Sequence, residues 1–279
     1  MPVTDTPLRY PGGKTSLYPY VKALIESNGL YGCTYVEPFA GGAGLALKLL
    51  KCGDVRHIVI NDFDRCIYVF WKAVVEQSQE LCRMVEDTPV TIEEWKRQKS
   101  IYLDEGVDDL HLAFATLFLN RTNIGGIIKG GVIGGLSQSG KYRLDARFNK
   151  QTTIRKIKKI SSFKDSITVL HKDAKELLLS GYLNRFENVF LNIDPPYVLK
   201  GGGLYKNFFT KSDHEDLCLA ISSLSYPWIV TYDIGEFIKE LYAAFRHDII
   251  PMRYSINKNS SSKEYMFFSN GLSFEGIKL

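Results

Sequence analysis

The segment Asp194-Pro195-Pro196-Tyr197 follows directly on the apolar run Val189–Ile193. Adjacent prolines fix φ and remove N–H donors, so the backbone here is stiff and rich in acceptors. The Asp194 carboxylate and the Pro195 carbonyl can therefore stand together as two acceptors at the end of a strand. Such a pair can grip both hydrogens of a planar NH2 group and pull its nitrogen toward tetrahedral geometry. The nitrogen lone pair, otherwise spread into the ring, becomes more nucleophilic. Against an already activated electrophile, such as the methyl of a sulfonium, only positioning and electrostatics remain to be supplied. Tyr197 adds a ring on which an extruded base could stack. The plain alternative is an Asp-Pro turn with a packed tyrosine, and the upstream sequence weighs against it.

Upstream, Tyr35-Val36-Glu37-Pro38-Phe39-Ala40-Gly41-Gly42-Ala43-Gly44 places glycines where a strand turns into a helix and a ligand can approach the backbone. Asp62 lies eighteen residues beyond Gly44, after a second strand-like run, where a carboxylate can bind both hydroxyls of a ribose. Together these suggest the cofactor half of a doubly wound sheet. Two other nucleotide readings fail. Pro11-Gly12-Gly13-Lys14-Thr15 resembles the end of a phosphate-binding loop, but that loop needs glycine where Leu8 stands. The run Gly41–Gly44 lacks the Gly-x-Gly-x-x-Gly spacing of a dinucleotide site. A ligand without phosphates needs only a blunt turn.

These residues must be held by a scaffold, and the hydrophobic pattern supplies one. Strands are expected at Thr34–Glu37, His57–Asn61, Ile167–Leu170, Val189–Ile193, Trp228–Tyr232, Asp248–Ile250 and Glu264–Phe268. Helical patterns lie between most of them, at Lys14–Ser27, Leu45–Leu50, Ala174–Leu179, Asp213–Ser223 and Glu236–Phe245. The alternation predicts an α/β fold: a doubly wound, mostly parallel, seven-stranded sheet. From about Cys66 to Ile160 the alternation breaks. Helical periodicity there runs through Tyr68–Gln77, Thr91–Lys99 and Asp109–Leu119, followed by an irregular glycine-rich stretch, Gly125–Gly140. The expected organisation is a discontinuous domain of residues 1–66 and 160–279 with a helical insertion at 67–159.

With 45% apolar and 24% charged residues among 279, the chain can bury a substantial core. It has no apolar run long enough for a membrane span and no signal-peptide pattern at its start. The five scattered cysteines form no Cys-x-x-Cys pair, which argues against zinc and for reduced, buried thiols in a cytoplasmic protein. The net charge of +4 only permits a polyanionic partner. Its distribution says more: Asn149–Lys164 holds six basic residues and no acid, and Arg155, Lys158 and Lys159 can share one helix face suited to phosphates. The segment Arg253–Lys263 is basic as well.

On these motifs the chain resembles the Dam-type (D12 class) DNA adenine-N6 methyltransferases over nearly its full length. Arg9-Tyr10-Pro11-Gly12-Gly13-Lys14 is similar to that family's N-terminal cofactor motif, implying that Tyr10, Gly12 and Lys14 shape the cofactor site. Glu37-Pro38-Phe39-Ala40-Gly41 resembles its glycine motif, Asp62 its ribose-binding acid, and Asp194–Tyr197 its catalytic tetrad, with Asp194 also beside the cofactor. Asp173 resembles the position facing the cofactor adenine, and Tyr205–Leu217 the segment after the tetrad. Ala43 stands where the family often has glycine. The resemblance implies S-adenosyl-L-methionine as cofactor and double-stranded DNA as substrate, with a flipped-out adenine as target. It leaves open whether a separately encoded restriction endonuclease is a partner or the enzyme is an orphan methylase, and implies the nucleoid of a prokaryote or phage as the place of action.

The resemblance makes the insertion a DNA target-recognition domain. Leu119-Asn120-Arg121-Thr122-Asn123 is similar to the segment that opens the family's DNA-reading hairpin. Arg9, Asn120, Arg121, Asn123, Lys129, Gln138, Lys141, Arg143 and Arg147 are then the expected DNA contacts, since Arg reads guanine and Gln or Asn reads adenine. For any single basic residue, phosphate or water is the commoner partner. The glycines at 125, 126, 130, 131, 134 and 135 would let a hairpin follow a groove. Residues 124–148 do not resemble the GATC-modifying members, so the target sequence stays open. Two alternatives remain: an enzyme acting on adenine in RNA or on another planar amide, and a non-catalytic DNA-binding protein of the same fold. The first usually carries Asn before the prolines and lacks the Tyr10–Lys14 motif. The second predicts loss of Asp194 or Asp62, and both are present.

Overall fold

Stretches rich in β-branched and aromatic residues form seven strands: β1 (Thr34–Glu37), β2 (His57–Asn61), β3 (Ile167–Leu170), β4 (Val189–Ile193), β5 (Trp228–Asp233), β6 (Arg246–Arg253) and β7 (Ser261–Phe268). The computed structural model describes residues 4–10, 12–198, 209–253 and 261–277. Pro11 of the N-terminal motif, residues 205–208 of the segment after the tetrad, and residues 254–260 of the basic tail lie outside them. The sheet order is β3-β2-β1-β4-β5-β7-β6. The pairs β1–β2, β1–β4 and β4–β5 are parallel, whereas β7 runs antiparallel to both β5 and β6. The result is a mixed α/β fold whose sheet is parallel in its centre and antiparallel at one edge.

The chain divides into two compact units: Lys14–Asp64 with Leu170–Leu279, and Met1–Gly13 with Arg65–Val169, so that the division falls within β3. In the first unit every residue of β1, β4 and β5 is buried, which fits their largely apolar composition, broken by polar residues such as Glu37 and Thr231. Leu191, Ile193, Val230, Tyr232 and Phe267 form the centre of its core. Its helices are α1 (Tyr18–Ser27), α2 (Gly44–Cys52), α8 (Ala174–Leu179), α9 (Lys211–Ser222) and α10 (Glu236–Leu241). A capping box starts α9: Thr210 accepts from the Asp213 N–H, and Asp213 accepts from the Thr210 N–H.

The second unit is helical: α3 (Arg65–Glu76), α4 (Ser78–Asp87), α5 (Ile92–Leu103), α6 (Asp109–Thr122) and α7 (Lys150–Ser161). Residues 112–120 of α6 are all buried, so this helix forms the unit's core, with α3 and α5 packed on it. Thr91, Asp108 and Asn149 cap α5, α6 and α7 by accepting backbone N–H bonds. The sequence pattern predicts one helix to Gln77; the chain turns there and continues as α4, which buries only a narrow stripe of Leu81, Cys82 and Val85. Between α6 and α7 runs an irregular segment with two 3-10 turns, Ile124–Gly126 and Leu144–Arg147, and a bridge from Asn123 to Val132. Among the described residues no helix is long and apolar enough to cross a membrane.

Candidate active site

The parallel centre of the sheet brings strand ends to one edge, and the tetrad leaves β4 at that edge. Asp194 is not left to solvent. Its Oδ1 accepts from Thr231 Oγ1 of β5 at 2.7 Å and from Tyr197 Oη at 3.1 Å, and Lys14 Nζ lies 3.2 Å away. Among the described residues its other oxygen, Oδ2, and the Pro195 carbonyl accept no hydrogen bond. About a quarter of the Asp194 side chain is open, 24% against 5% for Lys14. One oxygen is thus anchored and the other is free for a donor.

Lys14, in the turn that precedes α1, is buried and donates to Tyr197 Oη and to Glu264 Oε2, the latter at 2.8 Å. Burial opposes its charge, but Asp194 and then Glu264 outweigh that and hold the ammonium above its ordinary pKa. Tyr197 is 7% exposed and packs against Tyr232 at 6.5 Å, so its hydroxyl engages the site while its ring is largely covered. That differs from the open stacking platform expected from the sequence.

Of the expected cofactor residues, Glu37, Phe39, Ala40 and Gly41 lie at the end of β1 and in the turn after it, and Asp62 is bonded to that turn. Ala40 N–H donates to the Asn61 carbonyl, and the chain then turns through Gly41 (φ 46°) and Ala43 (φ 45°) into α2. Ala43 adopts a left-handed conformation in which glycine is the usual residue, at a cost of roughly 1–2 kcal/mol. Asp62 Oδ2 accepts from Gly41 N–H and Oδ1 from Asp64 N–H, both at 2.9 Å. Burial nonetheless pushes its carboxyl up to about 6. Each oxygen keeps a lone pair beyond its backbone bond, a donor set that fits two vicinal hydroxyls.

Glu37 is buried and accepts from Ala46 N–H at 3.2 Å; burial pushes its carboxyl up to about 8, against that bond. Phe39 packs edge-on to Phe209 at 5.9 Å. Asp173 caps α8 by accepting from the Glu176 N–H, so one of its oxygens is already engaged. Tyr10 accepts from Gly13 N–H at 3.4 Å through its carbonyl, across Gly12 at φ 81°.

In the helical unit several expected DNA contacts are engaged elsewhere. Asn120 is buried: its Oδ1 accepts from Arg9 N–H at 2.7 Å and its Nδ2 donates to the carbonyls of Arg9 and Gly126. Asn123 is buried too, accepting from Trp95 Nε1 at 2.7 Å and donating to the carbonyls of Ile127, Ile128 and Gly130. Gln138 pins its own loop through Ile133, Gly135 and Leu144. The polar atoms of these three amides are thus engaged within the unit, by backbone groups and, at Asn123, also by the Trp95 ring N–H. Gly126 is needed in this arrangement: at φ +79°, a Cβ there would meet the Arg9 carbonyl oxygen at 2.3 Å.

The basic residues divide differently. Lys129, Lys141 and Arg143 are exposed on the loop. Arg9, Arg121 and Arg147 lie close enough to repel one another. Burial, followed by Arg9 and Arg147, pushes Arg121 down to about 10, and burial followed by Arg147 lowers Arg9. Arg9 and Arg121 each donate to a backbone carbonyl, Asn123 and Pro7 respectively. On α7, Arg155, Lys158 and Lys159 are exposed opposite the buried Thr153, Ile157 and Ile160.

Two site residues escaped the sequence reading. Thr231 gave no signal, being one more β-branched residue in a strand. Glu264 offered a faint one, a lone acid opening the run Glu-Tyr-Met-Phe-Phe.

Comparison with known proteins bears on this geometry. The sequence model of the D12 class N6 adenine-specific DNA methyltransferases matches residues 10–256. The chain is also 22% identical over 223 residues to the type II methyltransferase M.MjaIII of Methanocaldococcus jannaschii, covering 75% of this chain and 74% of that protein.

Proposed function

Because this chain belongs to the D12 class N6 adenine-specific DNA methyltransferases, we propose that Asp194 and the Pro195 carbonyl activate a flipped-out adenine for transfer from S-adenosyl-L-methionine. DNA adenine methylation is the activity of the family, and its members generally use that donor. Supporting the donor assignment, Asp62 offers unfilled acceptor positions for two ribose hydroxyls, and Glu37, Phe39, Ala40 and Gly41 line the same turn. Tyr10, Gly12, Lys14 and Asp173 complete the set carried over from the resemblance. When bound, S-adenosyl-L-methionine supplies a methyl group on positively charged sulfur, which needs no further activation.

The chain's own residues do the rest. Asp194 Oδ2 and the Pro195 carbonyl accept the two N6 hydrogens and draw the lone pair out of ring conjugation. Thr231, Tyr197 and Lys14 hold Oδ1, so the carboxylate cannot rotate away as the nitrogen becomes positive. The proton that N6 sheds is taken at Asp194 Oδ2 and passes to solvent through the open side of that residue. The single observation carrying this reading is the asymmetry of Asp194, with one oxygen anchored and, among the described residues, the other unfilled.

We assign target recognition to the helical unit. Lys129, Lys141 and Arg143 are its exposed loop cations, Arg9, Arg121 and Arg147 supply positive charge, and Asn120, Asn123 and Gln138 fix the loop's shape. The type II class in the relative's name favours a separately encoded restriction endonuclease as partner, and a DNA substrate would make the nucleoid the place of action. Expression in a methylation-free host, with genome-wide mapping of modified bases, tests the assignment. N6-methyladenine in one short sequence is the expected result, relocating when residues 125–140 are exchanged for those of a relative. No modified base, or an unmoved site after the exchange, contradicts it.

A further inference from the structure

Glu264 sits on β7 opposite Asp233 of β5, with none of its surface exposed. A fully buried carboxylate is stable only when paired, and its partner is Lys14 Nζ, 2.8 Å from Oε2. The same ammonium lies 3.2 Å from Asp194 Oδ1 and donates to Tyr197 Oη. One cation therefore serves two carboxylates. Nothing in the sequence or in the family's motifs assigns Glu264 a part in the reaction.

The count of charges gives it one. Lys14 paired with Asp194 alone is a neutral couple, and a neutralised carboxylate is a weak acceptor for an amine. With Glu264 included, the buried group carries one net negative charge beside the nitrogen that turns positive as it gains a methyl. Fixed charge placed where transition-state charge develops lowers the barrier without changing ground-state binding. Glu37, the next carboxyl facing Asp194, is held largely protonated at neutral pH and cannot supply that charge.

We propose that Glu264 is a positioning residue for methyl transfer: by sharing Lys14 it leaves Asp194 its negative charge for the amine. The inference rests on the assignment of Asp194 above. The groups facing Glu264 are Lys14 from the N-terminal turn, Asp194 and Tyr197 from the end of β4, and Asp233 from β5. Burial raises its carboxyl above the usual range, Lys14 opposes this and Asp194 adds to it, so its charge is lost at a higher pH than for an exposed glutamate.

The test is steady-state methylation by the full chain, with target-site DNA and S-adenosyl-L-methionine, in wild type, Glu264→Gln, Glu264→Asp and Asp194→Ala. Glu264→Gln keeps an acceptor for Lys14 but removes the charge. It should lower kcat by roughly 10- to 100-fold, with KM for DNA and cofactor affinity within about twofold. Glu264→Asp should recover most of kcat. In wild type, kcat should fall as pH drops through the Glu264 titration, and this limb should be absent from Glu264→Gln. Unchanged kcat in Glu264→Gln, or equal damage in both variants with weakened cofactor binding, overturns the proposal. Should Glu264→Gln fail to fold, Glu264→Asp must still shift the acid limb, and an unshifted limb overturns the proposal equally. An active Asp194→Ala overturns the parent mechanism instead, so the two failures are distinguishable.

Discussion

Replacing Glu37 by Gln should change how stability depends on pH, by an amount the structure sets. Glu37 is 6% exposed and accepts one backbone N–H. Its carboxyl stands at about 8 in the fold against 4.5 in an unstructured chain. Below pH 4.5 it is protonated in both states and contributes no pH dependence. As pH rises from there toward 8, the unfolded chain releases this proton and the folded chain retains it, so stability falls. At about 1.4 kcal/mol per pH unit the full loss is roughly 5 kcal/mol, of which roughly 3 kcal/mol falls between pH 5 and 7.5. Glutamine accepts the Ala46 N–H with nearly the same shape but does not titrate. Urea unfolding of both proteins across this range isolates the contribution, because every other titrating group is common to the two. The variant should gain about 3 kcal/mol over wild type between the two ends. Parallel curves would refute the claim that Glu37 is held protonated.

Asp62→Ala should raise the dissociation constant for S-adenosyl-L-methionine roughly 10- to 100-fold by equilibrium titration, since two hydrogen bonds to a charged acceptor are removed. In wild type the same affinity should weaken as pH falls below about 6, where Asp62 takes up a proton, and Asp62→Asn should lack that limb. Asn123→Ala should cost about 3–4 kcal/mol in thermal or urea unfolding, because it strands Trp95 Nε1 and takes a donor from the carbonyls of Ile127, Ile128 and Gly130, the first of which keeps only its bond from Gly130 N–H. If Asn123 read bases instead, its replacement would alter site preference at unchanged stability.

All seven strands lie within a few residues of where alternation and β-branched runs place them, and in the parallel centre this follows because buried strands have little choice of composition. β6 and β7 extend beyond the predicted cores, where pairing with a neighbour lengthens what propensity only suggests. Helix α4 was harder to see: Ser78–Asp87 buries three side chains and otherwise reads as a polar loop. Local spacing made Asp62, Glu37 and the tetrad legible, since each sits at a strand end. Asn120 and Asn123 illustrate what spacing cannot tell, because the same amide can face a base or bind its own loop. Glu264 depends on Lys14, 250 residues away, and only the fold brings them together.

Asp194 carries the account, and single-turnover methyl transfer to target DNA at saturating cofactor tests it most directly. In Asp194→Ala, transfer should fall by roughly a thousandfold or more while cofactor affinity stays within severalfold of wild type. Transfer at near wild-type rates by that variant would contradict the mechanism, whatever else the site contains.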